Sequence, residues 1–135
     1  MNKYLIDTDV LIELLRGKQK VISYLDNLHK EGSAFFYSPV TKAEIFHGIR
    51  KGEEGRINLL FSSMECVPVT DEVGEKAGLY LKQFRSGHST QMGDTIIAAS
   101  AFYAGAVLVT CNEKHYPMKD IKIVIPVKQT KARLQ

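Results

Sequence analysis

Long apolar runs are missing from this chain. The longest candidate, "YLIDTDVLIELL", is broken by acids, and no stretch approaches the roughly 18 consecutive apolar residues that a membrane-crossing helix needs. The N-terminus has no basic segment leading into an uncharged apolar stretch and a small-residue cleavage site, so export is not indicated and the cytoplasm is the expected location. Cysteine is equally scarce. The two thiols, Cys66 in "MECVPV" and Cys111 in "VLVTCN", have no Cys-x-x-Cys spacing and no histidine at ligand spacing. That argues against a disulfide framework or a zinc site, and both are expected to be buried in apolar, strand-like surroundings. No internal repeat, linker or low-complexity segment interrupts the sequence.

What remains is the composition of an ordinary globular domain: 135 residues, 44% hydrophobic, 24% charged, with a mean hydropathy of -0.12. That length encloses one sizeable core and makes a second domain unexpected. Residues 1–127 are read as the domain and 128–135, with Lys128, Lys131 and Arg133 and no acid, as a frayed, solvated basic tail. The net charge of +3 is compatible with a nucleic-acid partner without specifying one.

Short apolar runs alternate with helical periodicity, the pattern of an α/β domain with a mostly parallel sheet. Five strands are expected at about 3–7, 34–37, 65–69, 106–110 and 122–126. Helices are expected over 8–16 and 18–30, ended by Gly17 and Gly32. A third starts in "SPVTKAEIFHGIRKG" with Ser38 as N-cap and Pro39 in the first helical position. Another spans 71–85, where Val73, Ala77, Tyr80, Leu81 and Phe84 share one face. After a turn at "SGHST", "QMGDTIIAASAFYAG" reads as a helix rich in small residues, with Ala98, Ala99 and Ala101 packed on the sheet and Gly105 closing it.

Ligands of parallel α/β sheets collect beyond the carboxyl ends of the strands. Asp7 stands at such an end, although capping by Asp7, Thr8 or Asp9 accounts for the local pattern equally well. Glu44 would be structural in a capping box with Thr41. The rival start at Ser38-Pro39 places it almost two turns inside the helix, among Ala43, Ile45 and Phe46 and beside the core face. Asp94 is either a cap or first-turn acid, or, if its helix begins near Ser89 or Thr90, an inward carboxylate needing a partner. Asp7, Glu44 and Asp94 sit on elements that can point at one rim of the sheet. Clustered carboxylates repel unless they share a cation, and Mg²⁺ or Mn²⁺, which prefer oxygen ligands and accept phosphate oxygens, suit that task. The chemistry expected is phosphodiester hydrolysis by a metal-activated water.

In the order "YLIDTDVLIELL", "YSPVTKAEIFHGI", "MGDTIIAASA", "VLVTCNEKHY", the chain resembles the PIN-domain ribonucleases, most closely the VapC-like toxins of bacterial toxin–antitoxin pairs. The resemblance spans nearly the whole chain. It implies an α/β/α sandwich, a Mg²⁺- or Mn²⁺-dependent endoribonuclease acting on RNA, homodimerisation, and inhibition by a small antitoxin protein. Carried over, Asp7, Glu44 and Asp94 match the first three acids and are the implied metal ligands. Asn112 stands where many relatives have a fourth acid, with Glu113 beside it and His115 three residues on. That departure leaves a one-metal site plausible. Asp9, Thr110 and Glu113 are given supporting roles, and Lys42, Arg50, Lys51 and Arg56 are candidates for RNA phosphates, each also readable as a solvated helix face. His47 makes a Glu-x-x-His spacing with Glu44 but lacks the second copy that a di-iron bundle needs. His29, His88 and His115 are expected to be solvated or hydrogen-bonded.

Two rival families fit less well. "LIDTDVL" also resembles the Asp-x-Asp of haloacid-dehalogenase-like phosphatases, but there the strand-end threonine precedes the Gly-Asp, whereas Gly93-Asp94 here precedes Thr110. A receiver domain needs a phospho-acceptor Asp after its third strand, and Asp71 reads better as a helix start. A non-catalytic PIN-like protein that binds RNA or a partner is the third alternative, and the three acids argue against it.

Overall fold

The computed structural model describes residues 2–87 and 89–127; His88 and the expected basic tail, with Lys128, Lys131 and Arg133, lie outside them. Five strands form one sheet: β1 (Lys3–Ile6), β2 (Ala34–Tyr37), β3 (Glu65–Cys66), β4 (Val107–Val109) and β5 (Ile123–Val124). Their order is β3-β2-β1-β4-β5, and every pairing is parallel. The chain builds outward from β1 in one direction to β3, then restarts on the other side with β4. The point between β1 and β4 is therefore the topological switch, where parallel α/β sheets open a crevice beyond their carboxyl ends.

Strand periodicity supplies the two faces. Leu5 and Leu108 point into one core with Val73, Ala77, Ile97 and Ala98, while Ile6 and Val109 point into the other with Val10, Val21, Ile45 and Phe61, as the period of two requires. The first core is covered by α5 (Asp71–Phe84) and α6 (Met92–Ala104), the second by α1 (Thr8–Leu15), α2 (Gln19–Lys30), α3 (Pro39–His47) and α4 (Glu54–Ser62). The result is the expected three-layer α/β/α sandwich.

Local chemistry fixes the helix ends. Ser38 caps α3 by accepting from the Val40 N–H at 3.1 Å, with Pro39 in the first turn, so the Ser38 start prevails over a Thr41 capping box. Thr70 accepts from the Val73 N–H at 3.2 Å, making Asp71 a first-turn acid. Gly17 and Gly105 end α1 and α6 with φ of 78° and 63°, a region where glycine escapes the Cβ penalty.

Several expectations change. Strand β3 stops at Cys66, because after the Val67 N–H donates to the Tyr37 carbonyl the next residue, Pro68, has no N–H to continue the ladder. Strands β4 and β5 are likewise shorter than 106–110 and 122–126. Cys66 lies on this edge strand and is exposed rather than buried, while Cys111 is half-buried; both thiols are free. Helix α4 was not expected at all. It has Gly55 in its first turn and no side-chain cap, so only the inward pair Ile57 and Phe61 marks it, Phe61 meeting Tyr37 edge-on with centroids 4.7 Å apart.

Leu108 on β4 is fully buried in the core under α5 and α6. Leu108→Ala is expected to lower unfolding free energy by about 2–5 kcal/mol, whereas Leu59→Ala, at a side chain 72% exposed, should stay within about 0.5 kcal/mol. Denaturant titration separates the two; equal losses would contradict the burial pattern.

Candidate active site at the sheet switch point

The sequence brings a carboxylate to the crevice because β1 ends at Ile6 and the next residue turns into a helix. Asp7 is the N-cap of α1, its own N–H donating to the Val109 carbonyl at 2.9 Å. That pins the aspartate between the ends of β1 and β4. Its side chain is 7% exposed and accepts three hydrogen bonds: from the Thr8 N–H to Oδ1 at 2.8 Å, and to Oδ2 from the Thr110 hydroxyl at 2.8 Å and the Tyr116 hydroxyl at 2.9 Å. Burial raises the Asp7 pKa; the three donors oppose it, and the Asp94 charge adds to the rise. Tyr116, also buried, is pushed well up by burial and then by Asp7, which keeps its hydroxyl a donor.

The remaining acids converge from other elements. Asp9, in the first turn of α1, accepts the Cys111 N–H at 3.3 Å and lies 3.4 Å from the Thr110 hydroxyl. Its pKa is pushed up to about 7, chiefly by burial and next by Asp7. Glu44 on α3 is exposed rather than beside the core face, since Thr41 and Ile45 take the inward positions. Its Oε1 is held at 2.6 Å by the Thr8 hydroxyl, which also meets Thr41 Oγ1 at 3.0 Å. Asp94 is a first-turn acid of α6, not a residue deep in a helix starting at Ser89. Its Oδ2 accepts the Gln91 N–H at 2.9 Å, and its pKa is raised by burial with a smaller contribution from Glu44.

A sequence profile described as "PIN domain" matches residues 4–121. The chain belongs to the PIN domain family. Ribonuclease VapC10 of Mycobacterium tuberculosis (strain ATCC 25618 / H37Rv) is 34% identical over 115 residues, which cover 84% of this chain and 86% of that protein. Ribonuclease VapC19 of the same strain is 30% identical over 115 residues, covering 84% of this chain and 92% of that protein. The resemblance to VapC proteins read from the sequence is thus borne out. Among solved structures, VapBC2 from Rickettsia felis bound to a DNA fragment of its promoter gives a TM-score of 0.77 at 20% identity, covering 91% of this chain and 98% of that one. FitAcB from Neisseria gonorrhoeae gives 0.73 at 22% identity, covering 91% and 97%. Both show the same fold.

In this PIN domain no lysine or arginine among the described residues forms an ion pair with Asp7, Asp9, Glu44 or Asp94. Asp7, Asp9 and Asp94 each feel another acid, and Asp94 also has the imidazole of His115 3.6 Å away. Such an all-oxygen donor set with uncompensated charge fits a hard divalent cation. The acids do not form a ready-made cage: among the described residues no three His, Cys, Asp or Glu side chains stand at metal-holding spacing. Mg²⁺ needs none, because it keeps several waters and takes one or two carboxylates plus substrate phosphates.

The other anticipated residues divide. Thr110 is at the centre, one hydroxyl contacting Asp7 and Asp9 while accepting the Asn112 N–H at 3.1 Å. Asn112 faces His115, with Nδ2 3.1 Å from Nε2. Glu113 is exposed in a 3-10 turn (Glu113–His115) and has no hydrogen bond to the acids among the described residues. Arg50 lines a groove of about 410 Å³ with Arg16, Glu44 and the apolar floor Ile12, Ile45 and Ile57. Lys42 rests 5.5 Å from the Phe61 ring centroid, Lys51 is exposed, and Arg56 bonds the Leu15 carbonyl instead of facing a ligand. Sequence reasoning missed Thr8, Thr41 and Tyr116 as participants. No local signal marks Tyr116, whose partner is 109 residues away.

The acids predict a pH dependence. Asp9 keeps its proton up to about pH 7 when folded and loses it near 3.8 when unfolded. Between those values the native state binds more protons, so stability falls as pH rises from about 4 to 7 and stays low above. The chain in EDTA should therefore melt higher at pH 5 than at pH 8, and Asp9→Asn should narrow that gap, gaining on the order of a few kcal/mol at pH 8. Melting curves with the same pH dependence in both proteins would refute this.

Proposed function

We propose that this PIN domain is a Mg²⁺-dependent endoribonuclease and the toxin of a toxin–antitoxin module. The observation that carries the reading is the set of buried or anchored carboxylates at the switch point with no lysine or arginine paired to them among the described residues. Two curated relatives carry the name ribonuclease, and a chain of the same fold was solved in a toxin–antitoxin complex from Klebsiella pneumoniae, which supports a cognate antitoxin as partner.

Asp7, Glu44 and Asp94 are the ligands we assign to the cation, one or two of them binding it directly and the rest through its waters, with Mn²⁺ as a substitute. Bound there, it supplies activation of water and stabilisation of the negative charge that builds on the phosphate. The chain's own groups do the rest. Thr110, Tyr116 and the Thr8 N–H hold Asp7 in one orientation. The Thr8 hydroxyl holds one oxygen of Glu44. Arg16 and Arg50, on the rim of the groove that contains Glu44, offer charge to the RNA backbone, as phosphate contacts position a substrate without reading its sequence. Asp9 holds the loop after β4 through Cys111 and is a positioning residue.

Asp7→Asn and Asp94→Asn should each lower Mg²⁺-dependent RNA cleavage by about 100-fold or more, beyond the loss typical of residues outside the metal's own ligands, with melting temperature retained. Wild-type-like cleavage by both would leave the non-catalytic PIN-like reading. A phosphate adduct on Asp7 detected by mass spectrometry would instead make the chain a phosphatase.

Homodimerisation is part of the same proposal. Leu79 on α5 and Phe102 and Tyr103 on α6 are 59%, 41% and 51% exposed, and aromatic side chains are enriched where protein surfaces meet. Light scattering during size exclusion should give twice the 15.2 kDa chain mass; a strictly monomeric mass at micromolar concentration rules the dimer out.

A further inference from the structure

Asn112 is the departure from the acidic pattern, and its surroundings show what the amide does. Asp94 turns Oδ1 toward His115 Nδ1 at 3.6 Å, longer than a direct hydrogen bond but close enough for the carboxylate to favour a proton on that nitrogen. A neutral imidazole protonated at Nδ1 has a bare lone pair on Nε2. That nitrogen lies 3.1 Å from Asn112 Nδ2, an amide nitrogen that can only donate. An aspartate at this position would set a second acceptor against the lone pair, so the amide is the side chain that matches.

The ring is held from behind as well. The His115 N–H donates to the Asn112 carbonyl at 3.2 Å, and the His115 carbonyl accepts from the buried Thr90 hydroxyl at 3.0 Å. Thr90 precedes Gln91, the N-cap whose N–H holds the other oxygen of Asp94. One short segment thus grips Asp94 and the backbone of His115 together.

We propose that His115 is a positioning residue for Asp94 and that Asn112 acts through it, selecting the Nδ1-protonated tautomer, instead of standing as a fourth ligand. The proposal rests on Asp94 being a cation ligand. It assigns the fourth corner of the site to an Asn112–His115–Asp94 line of contacts in which Asn112 never touches the cation.

The test uses the full ¹⁵N-labelled chain. Long-range ¹H–¹⁵N spectra of the imidazoles in EDTA at pH 7.5 should show His115 protonated on Nδ1, which is the less common tautomer in water. Asn112→Ala should abolish that preference and Asn112→Asp, of the same shape, should place a proton on Nε2. An Nε2-protonated His115 in the wild type, or a ring unchanged in both variants, overturns the proposal. Calorimetric titration with Mn²⁺ supplies the second readout. Asn112→Ala and His115→Ala should each weaken binding about 10-fold, and Asn112→Ala should add nothing in the His115→Ala background, since residues acting in series are not additive. A further loss there would mean that Asn112 meets the cation directly and would overturn the proposal. A wild-type chain that binds no Mn²⁺ would defeat the cation reading and with it the role given to Asp94, whereas absent RNA cleavage with Mn²⁺ binding intact would defeat only the nuclease reading.

Discussion

Everything at the crevice depends on how one carboxylate, Asp7, is held while it is 7% exposed. Asp7 has no basic partner among the described residues; three donors hold it, from the Thr8 backbone, Thr110 and Tyr116, and they oppose the rise in its pKa that burial causes. Burying an unpaired carboxylate is costly, and hydrogen bonds to the charged form recover part of that cost. The three donors come from the start of α1, the end of β4 and the turn beyond it. Thr110 and Tyr116 reach the acid only when β1 and β4 are adjacent and in register, so the sheet's central pairing and the geometry of the site are one arrangement.

The same constraint explains why the other acids are held by neutral groups. Glu44 is fixed by the Thr8 hydroxyl, Asp9 by the Cys111 N–H and Asp94 by the Gln91 N–H. Arginine or lysine in those places would neutralise the cluster and leave no charge for a cation. Donors without charge orient the carboxylates and leave their mutual repulsion standing, at a cost in stability that a bound cation would relieve. Structure and proposed activity therefore pull against each other at the crevice, and the two apolar cores either side of the sheet supply the stability that tolerates it.

Much of the frame was legible in the chain. The Ser38-Pro39 start, the terminating glycines Gly17 and Gly105, and the period-two runs "KYLI" and "VLV" are local signals with local causes, and each appears in the structure where it was expected. Helix α4 was not legible, because a glycine in its first turn and the lack of a cap hide a two-residue inward stripe. Cys66 misled because an apolar context says nothing about whether a strand lies at the sheet edge. Glu44 misled similarly: its neighbours are apolar in sequence, but on α3 only Thr41 and Ile45 are buried.

By itself the sequence determined the element types, the acids available and their order along the chain, since these follow from side-chain period, capping and composition within a few residues. Only the tertiary structure decided which oxygen meets which donor. The contacts of Asp7 with Thr110 and Tyr116 span 103 and 109 residues, and they arise from strand order, which places the loop after β4 beside the end of the first strand. No local pattern encodes that adjacency, because it is created when β4 pairs with β1 and brings Asp7, Thr110 and Tyr116 to one rim.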